Sequence, residues 1–161
     1  PMIGTGQRQE PSPFWLAVLA GLMVVGANSH GGALVVPPLL AGILAAEIVQ
    51  MVLTGRWHRG TLVSGLAGVG TAVGSLLINP YGWHLFVVPL RLSHLVSTDH
   101  IPNPEWISPT PAQAPVLYAA LALAVLVMGL RERRLSHWAL LLMASALALR
   151  HNRNVGLFVV L

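Results

Sequence analysis

The chain contains no cysteine, which excludes disulfides and thiolate metal sites. It contains no lysine either, so its nine basic residues are all arginine, set against five acids. Charge of any sign is scarce. Only 9% of the 161 residues are charged, where a soluble domain carries about 25%. Strands of an outer-membrane barrel would show as alternating segments of about ten residues, and none occur. The start does not read as a signal peptide: Arg8 is the one basic residue there, and no A-x-A site follows the first apolar run. No two histidines stand four residues apart and no H-x-x-E-H occurs, so a zinc-ligand pattern is missing.

What is present is apolar residue in long blocks. Hydrophobic residues make up 55% of the chain, and the mean hydropathy is +0.70. The blocks run from 15 to 21 residues, and short segments between them hold nearly every charge. A bilayer imposes this pattern, since apolar stretches of that length must satisfy their own amides as helices. The expected fold class is all-α, a polytopic transmembrane bundle. Spans are predicted at 13–27, 33–53, 61–78, 115–130 and 135–149, with a truncated sixth at 155–161. The chain opens on Pro1 and stops inside an apolar block, so it reads as one incomplete transmembrane domain of a longer protein.

The connections have character of their own. Pro13 suits a helix start, and Pro37-Pro38 is expected to kink the second block. Gly70 and Gly74 form a GxxxG pair that permits close helix approach. Segment 83–97 places Leu85, Val88, Leu92 and Leu95 on one stripe and His84, Arg91, His94 and Thr98 on another, which predicts an amphipathic helix in the membrane interface. Segment 98–114 is proline-rich and reads as a loop. Glu47, about 9 Å of helix from the end of its block, is expected to reach toward Arg56 or Arg59.

Arginine sets the orientation. If each of the first five blocks crosses once, one side holds Arg8, Arg56, Arg59, Arg131, Arg133 and Arg134, and the other Arg91, Arg150 and Arg153. Six against three makes the first side cytoplasmic. Arginines at block ends orient a membrane protein and form no single basic face, so nucleic acid is not the implied partner; the lipid bilayer is. The other side collects five of the seven histidines, together with Asn28, Asn79, Asp99, Glu105 and Trp106. This concentration of polar residues predicts that the protein works at its outer face.

Each cluster admits two readings. Asn28-Ser29-His30-Gly31-Gly32 is either a capped helix break or part of a site lining. Asn79-Pro80-Tyr81-Gly82 reads first as stop-and-turn chemistry. Arg91, with His84 or His94, either anchors the interfacial helix or holds a lipid phosphate. Glu105-Trp106 offers a carboxylate beside an aromatic plane, suited to orienting a sugar, or merely an exposed acid beside an interface tryptophan. Arg150-His151-Asn152-Arg153-Asn154 packs two guanidinium groups between apolar blocks, where an anion site for phosphate or diphosphate is the favoured reading.

In this order, N-x-H-G-G, N-P-Y-G, E-W-x-S-P and R-H-x-R-N resemble the bacterial glycosyltransferases of the GT-C fold. That broad group includes the dolichyl-phosphate-mannose protein mannosyltransferases and the lipopolysaccharide-core transferases. The resemblance runs from about Phe14 to Leu161. It implies a polyprenyl-phosphate-linked sugar as donor, transfer on the extracytoplasmic face of the bacterial inner membrane, and an inverting displacement in which arginines hold the donor phosphate. On the matching positions it implies that Asn28, His30, Glu105, Trp106, Arg150, His151 and Arg153 line the donor and acceptor cavity, with Arg91 added from the residues themselves. The catalytic acid of that family sits in its first outer loop. Before Glu47 the only acid is Glu10, on the opposite side, so the catalytic residue is expected to lie outside this chain and the chain alone to be inactive. The competing reading from another class is a secondary transporter, with a broken first helix and Pro37-Pro38 flanking a midplane site. Against it, Glu47 is nearly the only ionisable residue inside a span.

Overall fold

The computed structural model describes residues 11–29, 31–98 and 107–151. Among them every regular element is helical, and no strand occurs. The chain divides into two units, Pro1–Phe86 and Val87–Leu161, and each is described by itself.

The first unit holds α1 (Pro13–Ser29), a 3₁₀ segment (Gly31–Val35), α2 (Val36–Thr54), α3 (Arg59–Leu76) and a second 3₁₀ segment (Gly82–Phe86). Proline opens α1 as expected, with Leu16 N–H donating to Ser12 O at 3.2 Å to close the first turn. Pro37 and Pro38 do not interrupt α2. They lie in its first turn, where backbone amides have no intrahelical acceptor and the missing N–H costs nothing. The winding changes just before them, from 3₁₀ to α at Val35 and Val36. Together these turns make the 23-residue stretch Gly32–Thr54, the one described helix long and apolar enough to cross a membrane. Gly55 ends it in the left-handed region (φ 66°), its N–H bonded to Val52 O. That conformation favours glycine.

The elements of the first unit meet around Met23, Ala27, Ala72, Leu76 and Leu85, with Leu19, Ala33, Leu34, Val36 and Leu40 packed against them. Leu76 is wholly enclosed. Small residues let α1 and α3 approach, Ala27 and Ala72 being buried between larger neighbours. The glycines of α3 divide by role. A Cβ on Gly65 would stand 2.5 Å from Leu44 Cδ1, whereas Gly70 and Gly74 face open space. The close approach of α2 and α3 therefore uses Gly65, and the GxxxG pair packs against nothing described.

The second unit holds α4 (Val88–Thr98), α5 (Pro115–Arg131) and α6 (Leu135–Arg150). The amphipathic stretch 83–97 is not one helix: it is cut into the 3₁₀ segment and α4. Pro89 explains the cut, because it has no amide to donate to the carbonyl of Leu85. Leu85, read in sequence as the start of an apolar stripe, is instead buried in the core of the first unit. Helices α5 and α6 pack as a hairpin about the 131–134 turn. Both expose large apolar side chains, among them Val116, Leu123, Leu126, Leu130 and Leu142. In the first unit Phe14, Trp15, Leu22 and Leu53 are similarly exposed. Helices α1, α5 and α6 are apolar but shorter, at 17, 17 and 16 residues.

Candidate functional site

Of the polar residues singled out in sequence, Asn28 has the clearest structural partner. Its Nδ2 donates to Val24 O at 2.8 Å and to Ile78 O at 2.9 Å. The first bond folds the side chain back on its own helix. The second ties the end of α1 to the end of α3, immediately before Asn79. The amide thus serves a carbonyl just past the end of α3, where no further helical turn supplies a donor.

Asn79 makes the turn that follows. Its Nδ2 donates to Leu76 O at 2.5 Å and to Gly82 O at 3.3 Å, and its Oδ1 accepts from Tyr81 N–H at 2.7 Å. Gly82 completes the reversal with φ 52°. Every polar atom of the Asn79 side chain is engaged, so N-P-Y-G is turn chemistry here. Beyond it, the rings of Trp83 and His84 stack at 4.0 Å between centroids, and His84 Nδ1 lies 3.3 Å from Tyr81 O.

In the second unit the described end of the proline-rich loop is fastened at two points. Ser108 donates to Arg150 O at 3.0 Å, and Tyr118 donates from its hydroxyl to Pro109 O at 2.8 Å. Between them Gln113 Oε1 accepts from both Thr110 N–H and Thr110 Oγ1, closing a short turn before α5. The loop is held against the start of α5 and the end of α6. Arg150 contributes its carbonyl to this bond, and its side chain takes no part in it. That guanidinium is exposed and bonds no described residue. His151 caps α6 through its N–H to Leu147 O at 3.3 Å, in extended backbone (φ −146°). Arg91 is exposed on α4. His30, Glu105, Trp106 and Arg153 lie outside the described residues.

The opposite end of the α5–α6 hairpin carries a second polar construction. Glu132 Oε1 accepts from the backbone N–H groups of Arg133 and Arg134 at 2.9 and 2.8 Å, and Oε2 meets His137 Nδ1 at 2.6 Å. Trp138 Nε1 donates to Glu132 O at 3.4 Å. The Arg134 amide first, then His137, hold the Glu132 carboxyl below its ordinary value of 4.5, since hydrogen bonds to the charged form favour it. The pair expected in sequence does not form: among the described residues Glu132 meets His137, and Glu47 bridges neither Arg56 nor Arg59. The helix axis separates them, with about 10 Å of rise between Glu47 and the end of α2.

No group of three or more His, Cys, Asp or Glu among the described residues is arranged to hold a metal ion. Ser108, Tyr118 and Glu132 are roles that the sequence conceals: the first two act on backbone carbonyls, which no residue pattern announces. No protein-family model, curated protein or solved structure matches this chain.

Proposed function

We propose that this chain forms membrane-spanning helices of a polytopic glycosyltransferase resembling the GT-C group. It would transfer a sugar from a polyprenyl-phosphate donor on the extracytoplasmic face of a bacterial inner membrane. The exposed apolar faces of α1, α2, α5 and α6 support the polytopic reading, because contiguous apolar surface of that extent needs lipid or protein against it. In this reading five crossings would put the 54–60 and 131–134 turns on the cytoplasmic side. Pro37 and Pro38 open α2 rather than break it, which counts against one of the two features that suggested a transporter.

The observation that carries the enzymatic reading is the bond from Ser108 to Arg150 O, 3.0 Å long. It draws the end of the E-W-x-S-P loop to the start of R-H-x-R-N. In the proposed mechanism Arg150 and Arg153 bind the donor phosphate and stabilise it as it departs. Glu105 and Trp106 are the residues proposed to orient the sugar.

The test is the transfer of labelled sugar from a polyprenyl-phosphate donor by membranes carrying the protein in its natural polypeptide context. Arg150→Ala removes the guanidinium and leaves the carbonyl that Ser108 binds, so the loop attachment survives. Transfer is expected to fall by at least the ~10²-fold typical of losing a transition-state electrostatic contact, with unchanged membrane abundance. Full transfer by both Arg150→Ala and Arg153→Ala defeats the phosphate assignment.

A further inference from the structure

The 131–134 turn contains one acid and three arginines. In most clusters of this kind the acid would neutralise a neighbouring guanidinium. Here it does not. Glu132 folds back on its own turn, its two oxygens occupied by the Arg133 and Arg134 amides and by His137. The side chains of Arg131, Arg133 and Arg134 are all exposed, and no described acid pairs with them. The carboxylate shapes the turn, and the guanidinium groups are left to face outward with their charge uncompensated.

The surroundings narrow the partner. The turn caps a helical hairpin whose flanks are exposed and apolar, with Leu130 and Val127 on the last turns of α5. Trp138 sits at the same level, half-buried, its indole N–H bound to Glu132 O. Apolar flanks below a basic rim, with a tryptophan at their junction, match a bilayer whose surface carries negative charge. An acidic protein partner would account for the arginines but not for the apolar columns that lead up to them.

We propose that the 131–134 turn is a docking surface for anionic phospholipid headgroups, with Arg131, Arg133 and Arg134 gripping phosphodiester oxygens. This rests on the membrane reading of the α5–α6 hairpin. Guanidinium forks suit the task because each offers paired donors to a phosphate, and Glu132 keeps the turn tight enough to present all three.

The experiment uses the full chain in mixed micelles holding equal amounts of phosphatidylglycerol and phosphatidylcholine, with retained lipids identified by native mass spectrometry. Resistance of the chain to alkaline carbonate extraction from vesicles is measured in parallel. Wild type is expected to retain phosphatidylglycerol preferentially, by roughly fivefold for each arginine engaged, the ratio equivalent to about 1 kcal/mol. The combined variant Arg131→Gln, Arg133→Gln and Arg134→Gln is expected to lose that preference, and Arg56→Gln with Arg59→Gln to keep it. A triple variant that keeps the preference, or a carbonate-resistant wild type that shows none, overturns the docking surface. Extraction of wild type by carbonate overturns the membrane reading itself. If the triple variant loses helical content, the wild type decides alone: preference persisting in about 1 M salt, where screening acts within ~3 Å, overturns the proposal.

Discussion

Asn28 donates from its amide nitrogen to the backbone oxygen of Ile78, across 2.9 Å and fifty positions of sequence. The same nitrogen serves Val24 O at 2.8 Å, so one side chain closes the ends of two helices. This is the sole hydrogen bond from a side chain described between α1 and the segment after α3, and the core of the first unit lies just beneath it.

Asn28→Ala should therefore destabilise the first unit by about 1–2 kcal/mol, the worth of one or two neutral hydrogen bonds. Asn28→Asp should cost more at neutral pH, because a carboxylate would face two carbonyl oxygens and no donor. Thermal unfolding in detergent checks both. Equal stability of the aspartate and asparagine proteins would show that the bond to Ile78 carries no weight.

The glycines of α3 should respond in opposite directions. Gly65→Ala sets a methyl 2.5 Å from Leu44 Cδ1, and overpacking of this kind costs about 1–3 kcal/mol. Gly70→Ala and Gly74→Ala meet nothing within 4 Å, and each should add up to ~1 kcal/mol through helix propensity. Denaturation midpoints of the three variants provide the comparison. Destabilisation by alanine at position 70 or 74 would mean that this flank is occupied after all.

Acid should loosen the 131–134 turn. The folded pKa of Glu132 is depressed from 4.5, so its contribution is fully present above that value and is lost as pH falls through the lower, folded value. Hydrogen exchange at the Arg133 and Arg134 amides, both held by Glu132 Oε1, should accelerate in that window, once the intrinsic pH dependence of exchange is removed. Glu132→Gln keeps an acceptor for those amides and loses the titration, so its protection should stay flat below pH ~5. Protection in wild type that is equally flat would separate the turn from the carboxylate.

Much of the helical layout is legible in residue type. Blocks of apolar residues locate α1, α5 and α6 to within about two residues, since a proline, a charged cluster or, after α1, a His-Gly-Gly break marks each boundary. Less visible were matters of relation. Segment 83–97 has a continuous amphipathic pattern, yet Pro89 withholds one amide and Leu85 finds a place in a different core. The GxxxG spacing drew attention to Gly70 and Gly74, while the contact went to Gly65, because spacing shows which face is small and not which face has a neighbour. For the candidate site, the joining of Ser108 to Arg150 could not be read at all: its acceptor is a carbonyl, the same on every residue. Glu132 was visible as an acid among arginines, but its preference for backbone amides over guanidinium groups depends on the geometry of a two-residue reach.

Helix α3 has glycine at positions 60, 65, 68, 70 and 74, and each of those in its interior lowers the intrinsic tendency to wind by about 1 kcal/mol relative to alanine. Left to itself this segment is the poorest helix former of the first unit, though it lies against both α1 and α2. Its regular shape therefore leans on its neighbours, with α1 along one side and α2 along another. The segment least able to hold its shape alone is thus the one that carries the enclosed Leu76.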